Sequence, residues 1–276
     1  MKKILVPVDF SDQSKSALKH AANIAGINRS EIYLLHMIDL PSGELDLDSH
    51  GDTSNPAKLL FLHKVHEKMK EFMSFDFLNG LTVHEEVRFH KTFSGIINYS
   101  KELGCDLIVM GSQGASGLKE MFIGSNTEKV VRNSDIPVWV IKKGTEIKLP
   151  ERFLFASDFS GEIKPAFGRF LEFQKSFGNS KVDLLFVNTV HNFETTRETA
   201  TRMREFISGF NMPEYSLNIY NDRSIEKGIL NFANDIQADV ITLVTRQRKG
   251  IESFFNESIS EDLVNHAVKP VLTFKV

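Results

Sequence analysis

Cysteine is almost missing from this sequence: Cys105 is the only one. That excludes an internal disulfide and any zinc cluster built on thiolates. A surplus of one charge is missing too, with 33 Lys and Arg against 36 Asp and Glu and a net charge of -3. Nucleic-acid binding usually rests on a basic excess, so no DNA or RNA partner is expected. No apolar run approaches the roughly 18 residues of a membrane span, so no membrane partner is expected either. Residues 1–9 hold too short an apolar run for a signal peptide and no small-residue cleavage site. The expectation is a soluble, cytoplasmic protein. What is present is a chain of 276 residues, 41% hydrophobic and 25% charged. That balance is globular and excludes a disordered chain or a fibre. The length suits two domains of about 100–150 residues each.

The two domains are copies. Residues 4–11, ILVPVDFS, read against residues 153–160, FLFASDFS, at an offset of 149, which sets Asp9 on Asp158. Residues 34–37 match 184–187 at offset 150, and residues 95–99 match 228–232 at offset 133. The same offset of 133 sets Asp106 on Asp239 and Pro137 on Pro270. The second copy is therefore 17 residues shorter between its second strand and third helix. The first carries the extra length around residues 41–57, a Ser-, Gly- and Asp-rich stretch that reads as a loop. A polar stretch holding Gly144 and Pro150 separates the copies, giving domains at residues 1–143 and 151–276.

Each copy alternates strand and helix. In the first, residues 4–8 form a strand. A helix follows, with Ser11 or Asp12 as N-cap and Gly26 as its stop. Its Ala17, Leu18, Ala21, Ala22 and Ala25 share one face. Residues 32–38 form a second strand, and a long helix carries Leu59, Leu62, Val65, Met69, Phe72 and Met73. Residues 81–87 form a third strand, 93–103 a helix ended by Gly104, and 107–110 a fourth strand. Residues 127–132 belong to a last helix and 138–141 form a fifth strand. The pattern predicts an α/β fold of two tandem, doubly wound, five-stranded parallel sheets. Ligands in such sheets sit beyond the C-terminal strand ends, at the topological switch point.

After the fourth strand come Gly111 and Gly114, then Gly124 and Ser125 before a helix. Glycines let backbone N–H groups approach a ligand. A helix start favours an anion, and the Ser125 hydroxyl adds a donor. Together these parts suit a polyphosphate. The arrangement is not a P-loop, because no Lys-Ser or Lys-Thr follows at the required spacing. It is not the dinucleotide fingerprint either, which belongs after the first strand.

On these residues, together with VPVDFS at 6–11 and EKVVRNS at 128–134 before Pro137 and Val138, the chain resembles the universal stress protein family, as two tandem copies along essentially its whole length. In the family's ATP-binding branch the resemblance implies an adenine nucleotide alpha hydrolase-like fold. It implies that Pro7, Val8 and Asp9 border the base and that Met37 offers backbone to the adenine edge. Met110, Gly111 and Gly114 would face ribose and phosphate. Gly124, Ser125 and Asn126 would bind the phosphates of ATP, ADP or AMP, with Mg²⁺. It also implies dimer-like pairing through fifth strands, which the two halves could satisfy within one chain as a pseudo-dimer. A further homo-oligomer stays open.

The second copy departs from the pattern. At offset 133, Gly111 becomes Val244, Gly114 becomes Gln247 and Gly124 becomes Glu257, while Ser125 persists as Ser258. A valine would block backbone approach and a glutamate would repel phosphate. The nucleotide site is therefore expected in the first copy alone. Arg246, Arg248 and Lys249 could hold another anion, or pair with Glu252 and Glu257.

Plainer roles are open for several residues. Asp9 could only cap the following helix, and Gly111 and Gly114 could be turn residues. His63 and His66, at i and i+3, could ligate a metal. No carboxylate partner is evident in sequence, which favours a solvated or half-buried pair. Cys105 reads as a core thiol. Phe167, Phe170 and Phe173 read as core, with an apolar ligand pocket as the alternative. No catalytic set is recognisable. The leading reading is an ATP-binding stress or regulatory protein, in which occupancy orders the 41–57 or 114–124 loop. The alternatives are a slow ATPase at the same site, with Asp12 the nearest water-orienting candidate, and an interaction scaffold without nucleotide.

Overall fold

The computed structural model describes residues 1–39, 56–112, 124–178, 180–212, 214–245, 263 and 266–276. The first half runs β1 (Lys3–Pro7), α1 (Asp12–Asn28), β2 (Glu31–Ile38), α2 (Pro56–Met73), β3 (Val83–Phe89), α3 (Thr92–Leu103), β4 (Leu107–Gly111), α4 (Ser125–Asn133) and β5 (Val138–Ile141). The second half repeats it as β6 (Arg152–Ala156), α5 (Lys164–Gln174), β7 (Lys181–Asn188), α6 (Thr196–Ile207), β8 (Tyr215–Asn221), α7 (Ile225–Asp235), β9 (Val240–Thr245) and β10 (Val271–Lys275).

All strands among the described residues join one sheet in the order β3-β2-β1-β4-β5-β10-β9-β6-β7-β8. Within each half every pairing is parallel. The halves meet through antiparallel β5 and β10, with Trp139 opposite Leu272. The two five-stranded sheets are thus continuous. Strand alternation divides the core: Ile4, Val6, Phe153 and Phe155 face α1, α2, α5 and α6. Leu5, Leu154 and Ala156 face α3, α4 and α7. Helices on both faces make the sheet doubly wound. Among the described residues no helix is long and apolar enough to cross a membrane.

Local chemistry sets most element ends. The Ser11 hydroxyl accepts the Ser14 N–H to cap α1, and Thr195 with Glu198 forms a capping box on α6. Gly104 takes the left-handed conformation after α3. Two expectations need correction. Gly26 does not stop α1, which runs on to Asn28 and ends on left-handed Arg29. The third strand starts at Val83 rather than 81, because a short helix at Asp76–Leu78 is followed by a turn in which the Leu81 N–H bonds the Leu78 carbonyl.

The halves pack differently. Where α1 buries Leu18, Ala21 and Ala22, α5 buries Phe167, Phe170 and Leu171. Phe155 lies 4.8 Å from Phe167 and 5.1 Å from Phe170, centroid to centroid. These phenylalanines, with Phe173, fill core space, as the sequence suggests. Cys105 is buried too, and that burial pushes its thiol up to about 12.

Candidate functional site

The cleft at the C-terminal edge of the first half is built from four chain turns. β1 ends at Pro7, and the Val8 N–H bonds the Leu35 carbonyl at 2.8 Å. The chain then reverses through Phe10 at φ +64°, while Asp9 Oδ1 accepts from the Ser11 N–H at 3.1 Å and its hydroxyl at 2.5 Å. Asp158, Phe159 and Ser160 repeat this turn, with Phe159 at φ +55° and the Ser160 N–H 3.1 Å from Asp158 Oδ1. Asp9 therefore has a turn-holding role, and it also lines the cleft.

On β2, His36 Nδ1 lies 2.8 Å from the Val8 carbonyl and the ring packs on Phe10 at 4.4 Å. With a carbonyl as partner, Nδ1 carries the proton. Burial holds the imidazole below its ordinary value, so Nε2 remains an acceptor. Beside it, the Met37 side chain lies where a Cβ on Gly95 of α3 would point. The second half repeats the contact with Val187 and Gly228.

β4 ends at Gly111, where a Cβ would stand 3.0 Å from backbone atoms of Gln13. Glycine there lets α1 start close against the sheet, where a side chain would press on Gln13. The Thr127 hydroxyl donates to the Gly111 carbonyl at 3.0 Å. The Gly124 N–H donates to the Ser112 carbonyl at 2.8 Å. Gly124 is the N-cap of α4 and supplies no side-chain cap. The first-turn amides of Ser125, Asn126 and Thr127 therefore have no partner within the helix.

These turns enclose a cavity of about 310 Å³, within the size range of small-ligand pockets, roughly 300–1,000 Å³. Pro7, Val8, Asp9, Met37, Met110, Gly111, Gly124, Ser125 and Asn126 all line it. Gly114 lies outside the described residues. Sequence reasoning missed Ser14, His36, Thr92 and Thr127 in the lining. Asp12 is not part of it. Asp9 is the one charged side chain among the described lining residues, so an anion there would be met by amides, hydroxyls and a helix dipole.

At four twin positions of the second half the lining becomes apolar or bulkier. Ser14 becomes Ile163, His36 becomes Phe186, Thr92 becomes Ile225 and Gly111 becomes Val244. Ile163, Phe186 and Val244 are buried. The valine coincides with a changed helix start: a short helix at Gly161–Ile163 precedes α5, which begins at Lys164, the twin of Lys15. Gln247, Glu257 and Ser258, with Arg246, Arg248, Lys249 and Glu252, lie outside the described residues.

The expectation that His63 and His66 have no carboxylate partners needs correction. His66 Nδ1 lies 2.5 Å from Glu85 Oε1, and His63 Nδ1 lies 3.6 Å from Glu67 Oε1. The first partner sits on β3, which sequence proximity does not reveal. Among the described residues no group of three or more His, Cys, Asp or Glu could hold a metal ion.

The glycine contacts yield a paired prediction. Gly95→Ala meets the flexible end of Met37, which can swing, and helix propensity returns about 1 kcal/mol. Its stability should stay near wild type. Gly228→Ala meets the branched Val187 on a strand and should cost about 1–3 kcal/mol. Denaturant unfolding of both variants checks this, and equal costs would contradict it.

The fold and cleft define a duplicated, doubly wound α/β protein with a polar cleft at the strand ends of one half. The universal stress protein family model matches residues 1–142 and 220–275, and the chain belongs to that family. It is 34% identical over 142 residues to universal stress protein MJ0531 of Methanocaldococcus jannaschii, covering 51% of this chain and 82% of that one. It is 32% identical over 154 residues to MJ0577 of the same organism, covering 51% and 95%. A solved universal stress protein from Archaeoglobus fulgidus shares the fold along the whole chain, with TM-score 0.69, 24% identity and coverage of 99% and 98%.

Proposed function

We propose that the first half binds an adenine nucleotide (ATP, ADP or AMP) and that the chain acts as a nucleotide-responsive regulatory protein. One observation carries this reading: a polar cleft at the strand ends whose floor is Gly111 and whose far wall is the uncapped start of α4. The base would lie against Pro7, Val8, Asp9 and Met37. The ribose would lie against Met110 and Gly111, and the phosphates would meet the amides of Ser125 and Asn126 and the Ser125 hydroxyl. Gly114 would join them on the phosphate side. A magnesium ion would arrive with the nucleotide, since Mg²⁺ typically keeps phosphate oxygens and water as ligands. The apolar replacements Ile163, Phe186, Ile225 and Val244 argue against a second site. The β5–β10 pairing would take the place of association between two chains, as a pseudo-dimer.

The test is calorimetric titration of the full chain with MgATP. One equivalent per chain is expected. Two equivalents would refute the assignment to one half, and no binding of ATP, ADP or AMP would refute the nucleotide reading. Phosphate release on the same sample separates binding from turnover.

A further inference from the structure

The start of α4 walls the cleft, and its far end is held by the other half of the chain. The helix has nine residues, Ser125–Asn133, or about two and a half turns. Its internal hydrogen bonds make so short a helix a rigid rod, so a grip on its end also sets its start. The start is tied to β4, through the Thr127 hydroxyl on the Gly111 carbonyl and the Gly124 N–H on the Ser112 carbonyl. At the end, Lys275 of β10 reaches across the seam between the halves. Its Nζ lies 3.1 Å from the Asn133 carbonyl and 2.8 Å from the Asp135 carboxylate. Lys101, in the last turn of α3, holds the same carboxylate at 2.7 Å. Hydrogen bonds from these two ammonium groups hold Asp135 at about 2.

Exposed ion pairs usually contribute little. Here two ammonium groups share one carboxylate, and the Lys275 side chain is only 12% exposed. A cation at a helix C-terminus also meets the negative end of the helix dipole and an otherwise unpaired carbonyl. Asp135 thereby joins three elements. These are α3, whose first residue Thr92 lines the cleft, the end of α4, and the last strand of the second half.

The arrangement is kept on one side of the seam only. Trp139 and Leu272, twins under the 133-residue repeat, face each other in the β5–β10 pair. Each residue near the seam therefore has a twin across it. The twin of Asp135 is Val268, which is 72% exposed. The acid persists in the half with the polar cleft and is gone from the half whose twin positions are apolar.

We propose that Lys275 is a positioning residue for the first-half site. By holding Asn133 and Asp135 it sets α4 so that Ser125 and Asn126 face the phosphates. The second half thus supports nucleotide affinity without touching the nucleotide, a role that rests on the nucleotide reading above.

The experiment is calorimetry on the full chain with MgATP and, separately, with adenosine. Lys275→Met keeps the apolar stem and removes the charge. It should weaken MgATP about tenfold, within the range usual for coupling between separate sites. Adenosine has no phosphate to meet α4, so its binding should be the same in variant and wild type. A merely structural role would not separate the two ligands. Asp135→Asn, at an exposed position, should also weaken MgATP. The double variant should lose less than the product of the two single losses, because both act through one contact. MgATP affinity within twofold of wild type in Lys275→Met, equal losses for MgATP and adenosine, or fully multiplicative losses in the double variant would each overturn the proposal. A wild-type chain that binds no MgATP would instead overturn the nucleotide reading, and this role with it.

Discussion

Gly124→Glu should lower the affinity of the full chain for MgATP about a thousandfold while leaving it folded. Gly124 is the N-cap of α4 and sits in the cleft wall beside Ser125 and Asn126. A glutamate there is what the second half carries at the twin position, Glu257. At roughly 4 Å from a phosphate charge, with an effective dielectric of about 20, the repulsion is about 4 kcal/mol. Every 1.4 kcal/mol is about tenfold in affinity, which gives the stated factor. The backbone conformation does not demand glycine, since Gly124 has φ -59° and ψ 135°, which any residue adopts. Folding should therefore survive, and unfolding curves without nucleotide should overlay the wild type. Calorimetry with MgATP reads the effect. Binding within tenfold of wild type would place the phosphates elsewhere.

The parent fold was legible because each signal was local or periodic. Short apolar runs marked strands, Gly104 marked a helix end, and the constant offsets marked the repeat. The errors came where tertiary context overrode a local cue. Gly26 has the freedom to stop α1, yet the helix continues, and the left-handed turn falls on Arg29 instead. In the cleft, Gly111, Gly124 and Ser125 were visible as a spacing, whereas Pro7, Val8, Asp9, Met37, Met110 and Asn126 became candidates through a family resemblance. Ser14, His36 and Thr92 were invisible for a physical reason: each sits on a different element, and only the parallel sheet order brings β1, β2 and β4 together. Gly111 also shows how one residue answers to two constraints. Its missing Cβ also eases the close approach of Gln13, so packing favours the glycine even with no ligand. The same limit applies to His66 and Glu85, whose contact joins α2 to β3.

Phe170→Ala should destabilise the chain by about 3–5 kcal/mol, although alanine is what the first half carries at that position. Ala21 and Phe170 are twins, and both are fully buried. The alanine fits α1 in a core layer that holds the smaller Ile4 and Val6 of β1. In the second half those strand positions are Phe153 and Phe155. The Phe170 ring meets Phe153 at 5.8 Å, Phe155 at 5.1 Å, Phe167 at 6.0 Å and Phe274 at 5.9 Å. Truncation leaves a void that four rigid rings cannot close, and large-to-small changes of this kind cost about 3–5 kcal/mol. Lost ring-edge contacts add about 0.5–1.5 kcal/mol each where they are well formed, which favours the upper half of that range. Denaturant unfolding measures the loss. A cost below about 1 kcal/mol would mean that α5 settles onto the sheet as α1 does, so that the aromatic layer is a replaceable filling. A large cost together with unchanged MgATP affinity would show that the cleft draws its geometry from the first half's packing alone, although the two halves share one core layer.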